Sequence, residues 1–211
     1  MTPSLYKTIY INSTSEIAIE KSRFIAHLFK VDSESDANLF FNQIKKKYWN
    51  ATHNCTAFIL SSGSMRSNDD GEPAGTAGKP ILEILKKNEI CNTAVVITRY
   101  FGGIKLGTGG LIRAYSAATQ NGIKNSGIIE KVLHNSLIIS LNYVYWDKIE
   151  KYLKNKNIHF QKPVFSDVVS VKLFVLNELE SINDIKNICN GNVTIEASYS
   201  EFFEVLLQKP I

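Results

Sequence analysis

Long apolar runs are missing from this chain. No stretch approaches the ~20 consecutive apolar residues that span a bilayer. The opening residues, MTPSLYKTIYINSTSE, lack the basic-then-apolar layout of a secretory leader. A cytoplasmic protein without membrane contact is therefore expected. Cysteine is scarce and odd in number: Cys55, Cys91 and Cys189 stand far apart, which fits reduced thiols better than a disulfide framework. The four histidines, His27, His53, His134 and His159, make no HExxH or Cys/His cluster, so no zinc site is legible. Charge of either sign is modest, with a formal net of +4 over 211 residues, and that alone demands no polyanionic partner.

What is present is unevenly distributed. Residues 1–134 carry 16 Lys and Arg against 11 Asp and Glu, whereas residues 135–211 carry 8 against 9. The basic excess therefore lies in the first part, where a local patch says more than the overall charge. Glycine follows the same division: eight of the twelve fall between Gly71 and Gly110, and Gly191 alone lies beyond residue 134. An apolar content of 44% supplies a core for two domains without metals or disulfides.

Periodicity organises the chain. YKTIYI and the run from Glu16 to Val31 read as strands with a break near Asn12–Ser15. Ser33 and Asp36 mark a helix start, and Ala37, Phe40, Phe41, Ile44 and Tyr48 recur at helical spacing. CTAFILS is a strand and residues 62–78 a long loop. KPILEILKKN is a helix with Pro80 in its first turn, and NTAVVITRYF is a buried strand. A helix then runs from about Gly110 to Asn121, with Ala114, Ala117 and Ala118 as a close-packing face. Beyond residue 134 six elements follow: strands 136–142, 158–165, 167–176 and 193–203, with helices 143–156 and 178–190. Val193, Ile195, Ala197 and Tyr199 alternate along the last strand. The order βαββαβ is the ferredoxin-like pattern. The fold class is α+β in two domains, 1–134 and 135–211.

Two segments invite chemistry. In FGGIKLGTGGLIRAYSAAT, five of the nine residues from Gly102 to Gly110 are glycine. A buried strand, a glycine-rich turn and a helix start together expose main-chain N–H groups at the positive end of the helix dipole, where anions settle. Gly102, Gly103, Gly107, Gly109 and Gly110 would form the nest, with Arg99, Lys105 and Arg113 around it and Lys79 adding to the patch. Tyr100 and Phe101 are the candidate base-stacking rings. The competing reading is a tight, closely packed turn. Neither a Walker loop nor a dinucleotide fingerprint fits: Pro73, Pro80 and Ile112 stand where those patterns need other residues.

The second segment, NDDGEPAGTAGKP, holds Asp69, Asp70 and Glu72. Their carboxylates are candidate ligands for a hard cation such as Mg²⁺, and Asp-Gly and Glu-Pro are equally ordinary turn chemistry. His53 and Cys55 would share a strand face as a thiol–imidazole pair, but no orienting third group is evident. Phe40–Phe41 and Phe202–Phe203 read as packing.

Four ordered blocks, KSRFIAH (21–27), ATHNCTAF (51–58), NDDGEPAGTAGKPILEIL (68–85) and VVITRYFGGIKLGTGGLIRAYSAAT (95–119), resemble the IMPACT/YigZ family. Thr56 stands where the family pattern expects an aromatic. The resemblance implies an N-terminal domain with the fold of a small-subunit ribosomal protein's second domain. It also implies a ferredoxin-like C-terminal domain similar to the last domain of elongation factor G. Eukaryotic relatives act in translational control; the chain has the bacterial arrangement, for which no such pathway is implied.

Two classes of function follow. The first is a non-enzymatic binding or regulatory protein, linked to translation through RNA or a ribosome-associated protein and needing no cofactor. The second is an Mg²⁺-dependent enzyme, or a binder, acting on a phosphorylated or nucleotide small molecule. Basic bias, the glycine turn and the resemblance favour the first.

Overall fold

The computed structural model describes residues 5–211, except for the side chains at 197 and 198. Two compact units emerge. One comprises the described residues up to Lys131 together with Glu204–Ile211, and the other Val132–Phe203. The last eight residues, which a division into 1–134 and 135–211 assigns to the second domain, thus belong to the first unit. The reason lies in local contacts. The N–H of Ile211 donates to Lys124 O, and Gly127 lies so close to Gln208 that a Cβ would meet its carbonyl oxygen at 2.5 Å.

In chain order the first unit runs β1 (Leu5–Ile9), β2 (Ser13–Ile19), β3 (Ser22–Lys30), α1 (Glu34–Lys47), β4 (His53–Ile59), β5 (Met65–Asn68), α2 (Gly78–Lys87), β6 (Thr93–Tyr100) and α3 (Gly107–Ser126). Five strands form a sheet of order β2-β3-β6-β4-β5. Every neighbouring pair in it is antiparallel. The strand expected from Glu16 to Val31 is instead a hairpin. It turns at Glu20 and Lys21, whose φ values of +46° and +64° supply the two left-handed residues that such a turn requires. The long loop expected at 62–78 contains β5, the edge strand.

One face of this sheet buries Phe24, Ala26, Leu28, Cys55, Val95 and Ile97 against Ile81 and Leu85 of α2 and Leu111, Ala114, Tyr115 and Ala118 of α3. The α3 helix sits unusually close: a Cβ on Gly122 would stand 2.4 Å from Leu28 Cδ1. Ala114 and Ala118 join this seam as expected, whereas Ala117 is exposed. The opposite face packs Phe58, Ala94 and Val96 under Ala37 and Phe40 of α1. Ser33 caps α1 as predicted, its hydroxyl accepting the Asp36 N–H at 3.1 Å.

The chain continues with β7 (Ile128–Leu141), α4 (Tyr143–Asn155), β8 (His159–Phe160), β9 (Val164–Phe165), β10 (Val169–Val175), α5 (Glu178–Ile188) and β11 (Val193–Gln208), of which the part from Val132 to Phe203 forms the second unit. The βαββαβ order is as expected, with the strand predicted at 158–165 broken into two short pieces. In its sheet β7 pairs with β10 and β11, and β10 also pairs with β8 and β9. Leu137, Ile139 and Leu141 join the alternating Val169, Val171, Leu173 and Val175 against Ile149 and Leu153 of α4 and Ile185 of α5. Ala197 lies outside the described side chains. Among the described residues no helix is long and apolar enough to cross a membrane.

Candidate functional site

The β6 strand ends at Tyr100, and the chain then crosses the sheet's end through the glycine turn into α3. Gly102 is demanded by the fold: its N–H donates to Ser22 Oγ at 3.2 Å, and a Cβ there would meet the Lys21 carbonyl group at 2.0 Å. Gly103 and Gly107 take φ of +86° and +66°, a region that disfavours side chains. Gly109 differs. Its φ is ordinary, it is exposed, and a Cβ would meet only the Arg113 guanidinium at 3.5 Å. At Gly110 a Cβ would crowd Leu106 Cβ at 3.0 Å.

Among the described residues, α3 begins without a capping side chain. The other four helices have one: Ser33 for α1, Asn142 for α4, Asn177 for α5, and for α2 the distant carboxylate of Asp69. The first-turn N–H groups of a helix have no partner within the helix. At α3 they stand beside a cavity of about 310 Å³ lined by Glu72, Pro73, Arg99, Phe101, Lys105, Leu106, Gly107, Thr108 and Leu111.

Buried groups line one side of this cavity. Arg99 and Glu72 are 5% and 8% exposed, and Arg99 Nη1 donates to Glu72 Oε1 at 2.6 Å. Arg99 Nη2 reaches Ser22 Oγ at 3.4 Å, while its Nε, also buried, has no hydrogen-bond partner among the described residues. The guanidinium carbon lies 5.4 Å from the Phe24 ring centre and 5.5 Å from that of Phe101. Tyr115, wholly buried in α3, donates its hydroxyl to Glu72 Oε1 at 2.8 Å. Burial, with Cys55 and Glu72 alongside, raises the Tyr115 pKa far above the usual tyrosine range, so the hydroxyl remains a donor.

The carboxylates of the acidic loop do not converge. Asp69 accepts the N–H groups of Gly75, Ala77 and Gly78 at 2.8, 3.0 and 2.8 Å. Burial opposes its ionisation, yet those three donors hold its pKa below the usual carboxylate range. Asp70 pairs with Lys45 at 2.7 Å and accepts the Asn54 N–H at 2.7 Å. Its pKa is lowered too, these partners outweighing burial. Asp69, Asp70 and Glu72 therefore serve a helix cap, a surface ion pair and a buried ion pair. Among the described residues no group of His, Cys, Asp and Glu could hold a metal ion, so the Mg²⁺ site expected at these carboxylates does not fit.

The His53–Cys55 pair is also corrected. His53 Nδ1 donates to the Asp70 carbonyl at 2.8 Å, and its Nε2 lies 3.8 Å from Glu72. The Cys55 thiol instead faces the Asp69 carbonyl at 3.0 Å and the Tyr115 hydroxyl at 3.3 Å. Burial pushes its pKa up to about 12, which keeps it a thiol rather than a nucleophilic thiolate.

Of the residues proposed from sequence, the cavity gathers Arg99, Phe101, Lys105, Gly107 and Glu72. The expected trio of cations is not reproduced as free charge: Arg99 is neutralised by Glu72, Lys105 is exposed at the cavity, and Arg113 is exposed beside Gly109. Lys79 is exposed and outside the lining. Tyr100 faces the α1 side, its hydroxyl donating to Asn50 Oδ1 at 2.9 Å. Tyr115 and Thr108 went unnoticed in sequence. The detectable signal was a single aromatic among the small residues Ala114, Ser116, Ala117 and Ala118. A larger cavity, about 440 Å³, lies near Leu5, Leu60 and Cys91, where Lys7 is already paired with Glu89. It gathers no comparable set of buried polar groups.

Residues 20–123, which hold this site, match the family described as the Impact N-terminal domain. The chain is 44% identical over 172 residues to IMPACT family member YvyE of Bacillus subtilis (strain 168), covering 81% of this chain and 79% of that protein. It is 39% identical over 110 residues to IMPACT family member YigZ of Escherichia coli (strain K12), covering 50% of this chain and 54% of that one. A crystal structure described as that of a hypothetical protein superposes with a TM-score of 0.60 at 26% identity, covering 92% and 98% of the two chains. The chain belongs to the IMPACT family.

Proposed function

We propose that this protein is a non-enzymatic binding protein linked to translation or its regulation, contacting RNA or a ribosome-associated protein through its first unit. The observation that carries this is the uncapped start of α3, opening beside a cavity that also presents Lys105 and the exposed ring of Phe101. Helix amides and a lysine favour an oxyanion, and the ring favours a base. The unpartnered Arg99 Nε adds a buried donor that an oxyanion would satisfy. The family resemblance points the same way, since it implies a ribosomal-protein-like first domain and a last domain similar to that of elongation factor G.

The test is fluorescence anisotropy of a labelled oligouridylate with the full chain at rising salt. Affinity is expected to fall with a log–log slope of roughly −0.7 per phosphate contacted. Salt-independent binding, or none, removes the RNA version; a protein recovered from RNase-treated lysate whose capture Lys105→Glu abolishes supports the ribosome-associated version. A second reading, in which the ligand is a phosphorylated or nucleotide small molecule, is favoured by one observation. The cavity, about 310 Å³, reaches the range of roughly 300–1,000 Å³ seen for small-molecule sites. A thermal-shift panel of nucleotides and sugar phosphates separates the two, because binding at 100 times Kd stabilises by about 2.7 kcal/mol.

A further inference from the structure

Trp49 is 82% exposed and stacks on no other ring among the described residues. An indole left in water forgoes burial that would stabilise the fold, and its faces stay open to stacking. The segment carrying it is not loose. The Asn50 side chain accepts the Tyr100 hydroxyl, the Thr52 hydroxyl accepts the Phe101 N–H at 3.0 Å, and the Thr52 N–H donates to Arg99 O at 2.9 Å. Trp49 therefore sits on a segment held to the end of β6, where Tyr100 and Phe101 lie. There Arg23 stands opposite Tyr100 in the β3–β6 register, its guanidinium carbon 5.5 Å from the ring centre.

Charge decides what these rings meet. The segments 20–24, 45–53 and 99–110, which the contacts above bring together, carry seven Lys and Arg against the single acid Glu20. Ion pairs with Glu16, Asp70 and Glu72 occupy Arg23, Lys45 and Arg99. Lys21, Lys46, Lys47 and Lys105 have no acidic partner among the described residues. Protein partners tend to meet surfaces depleted in lysine, whereas lysines interleaved with exposed rings suit a single-stranded nucleic acid.

We infer that a single strand of RNA runs from the α3 cavity across this turn toward the end of α1, with bases stacked on Phe101, Trp49 and Tyr100 and phosphates near Lys105, Lys46 and Lys47. This rests on the RNA version of the proposed function, and it names the partner's form and path.

The test uses the full chain carrying Trp146→Phe, which leaves Trp49 as the single tryptophan, with a twelve-nucleotide oligouridylate, the matching oligodeoxythymidylate and a duplex RNA of equal length. Both single strands are expected to quench Trp49 emission, and the duplex is not. Trp49→Ala is expected to weaken oligouridylate binding by about 5- to 150-fold, the range for losing one base–aromatic stack, while Trp49→Phe retains most of the affinity. Circular dichroism checks that the exposed substitution leaves the fold intact. Wild-type affinity in Trp49→Ala, with Lys105→Ala still weakened, overturns the path and spares the cavity as an RNA site. Unchanged Trp49 emission on saturating oligouridylate overturns the path as well. Failure of the unsubstituted chain to bind any oligonucleotide overturns both.

Discussion

Replacing Glu72 by Gln separates what the buried ion pair does for the fold from what it does for the cavity. The Glu72 and Arg99 side chains are 3% and 6% exposed, so solvent screens their attraction little. Glutamine keeps the size of the side chain and an acceptor for the Tyr115 hydroxyl and Arg99 Nη1, but it leaves the guanidinium without a counter-charge. Removing one partner of a buried pair costs about 3–5 kcal/mol, and the retained hydrogen bonds place Glu72→Gln near the lower end. At about 2–4 °C per kcal/mol for a chain of this size, the unfolding transition of the first unit is expected to drop by roughly 6–12 °C. Ligand affinity should move the opposite way. With Glu72 neutral, Arg99 can turn its charge toward an oxyanion in the cavity, a charge-assisted contact worth about 1.5–3 kcal/mol. Thermal unfolding followed by circular dichroism, in a series of inorganic phosphate concentrations, reads both effects at once. The variant is expected to melt lower without phosphate and to gain more from phosphate than the wild type. A variant that melts with the wild type, or that is destabilised and no more responsive to phosphate, refutes the assignment of Arg99 to the cavity.

The two glycines of the turn should respond in opposite directions. Gly102→Ala forces a Cβ to within 2.0 Å of the Lys21 carbonyl group and is expected to lose several kcal/mol in urea unfolding; Gly109→Ala relieves a helical glycine, gains about 0.5–1 kcal/mol, and weakens oligonucleotide binding in anisotropy. His27 is expected to make stability pH-dependent. Burial, with Lys47 nearby, lowers its pKa to about 4, so between pH 6.5 and 4 the unfolded chain binds the extra proton, and stability falls as pH drops through that window by ~3 kcal/mol. Urea midpoints across that range should show the slope in the wild type and lose much of it in His27→Gln. Cys55, with its pKa pushed up to about 12, is expected to react with iodoacetamide at neutral pH only as fast as the first unit unfolds; rapid alkylation of the native protein would contradict its burial.

Local signals in the sequence located most of the elements. Ser33 with Asp36 marked the start of α1, Pro80 sat in the first turn of α2, and the apolar run Ala94–Ile97 marked a strand covered on both faces. These worked because the physics is confined to a few neighbouring residues. What escaped was long-range. Asp69 caps α2 from across a loop, eight and nine residues before the N–H groups it accepts, so its carboxylate looked free for a metal. Glu72 and Arg99 are 27 positions apart and Tyr115 another 16 beyond, and only the folded sheet shows that they meet. The β2–β3 turn was hidden because Glu20 and Lys21, rather than Asn and Gly, adopt the left-handed region. At the glycine turn the cluster pointed to the right place while concealing a division of labour: Gly102 serves packing, Gly103 and Gly107 serve backbone direction, and Gly109 serves neither.

The charge in the cavity argues for the kind of ligand it suits. A buried Arg–Glu pair contributes little net stability, and apolar residues of the same volume often do as well or better. Its presence beside a cavity is therefore better explained by the ligand than by the fold. Arg99 and Glu72 cancel, leaving Lys105 and the end of α3, equivalent to about half a charge. The sum, roughly +1.5, lies midway between the charge of one phosphodiester and that of a doubly charged phosphate monoester. An unbalanced arginine would tighten binding to either and would favour the monoester more. Glu72 thus biases the site toward the backbone of a polymer and away from small phosphate esters, and the same carboxylate that stabilises the fold limits how strongly the cavity attracts anions. Glu72→Gln should accordingly gain more affinity for inorganic phosphate than for an oligouridylate, and equal gains for the two would remove charge matching as the basis of selection.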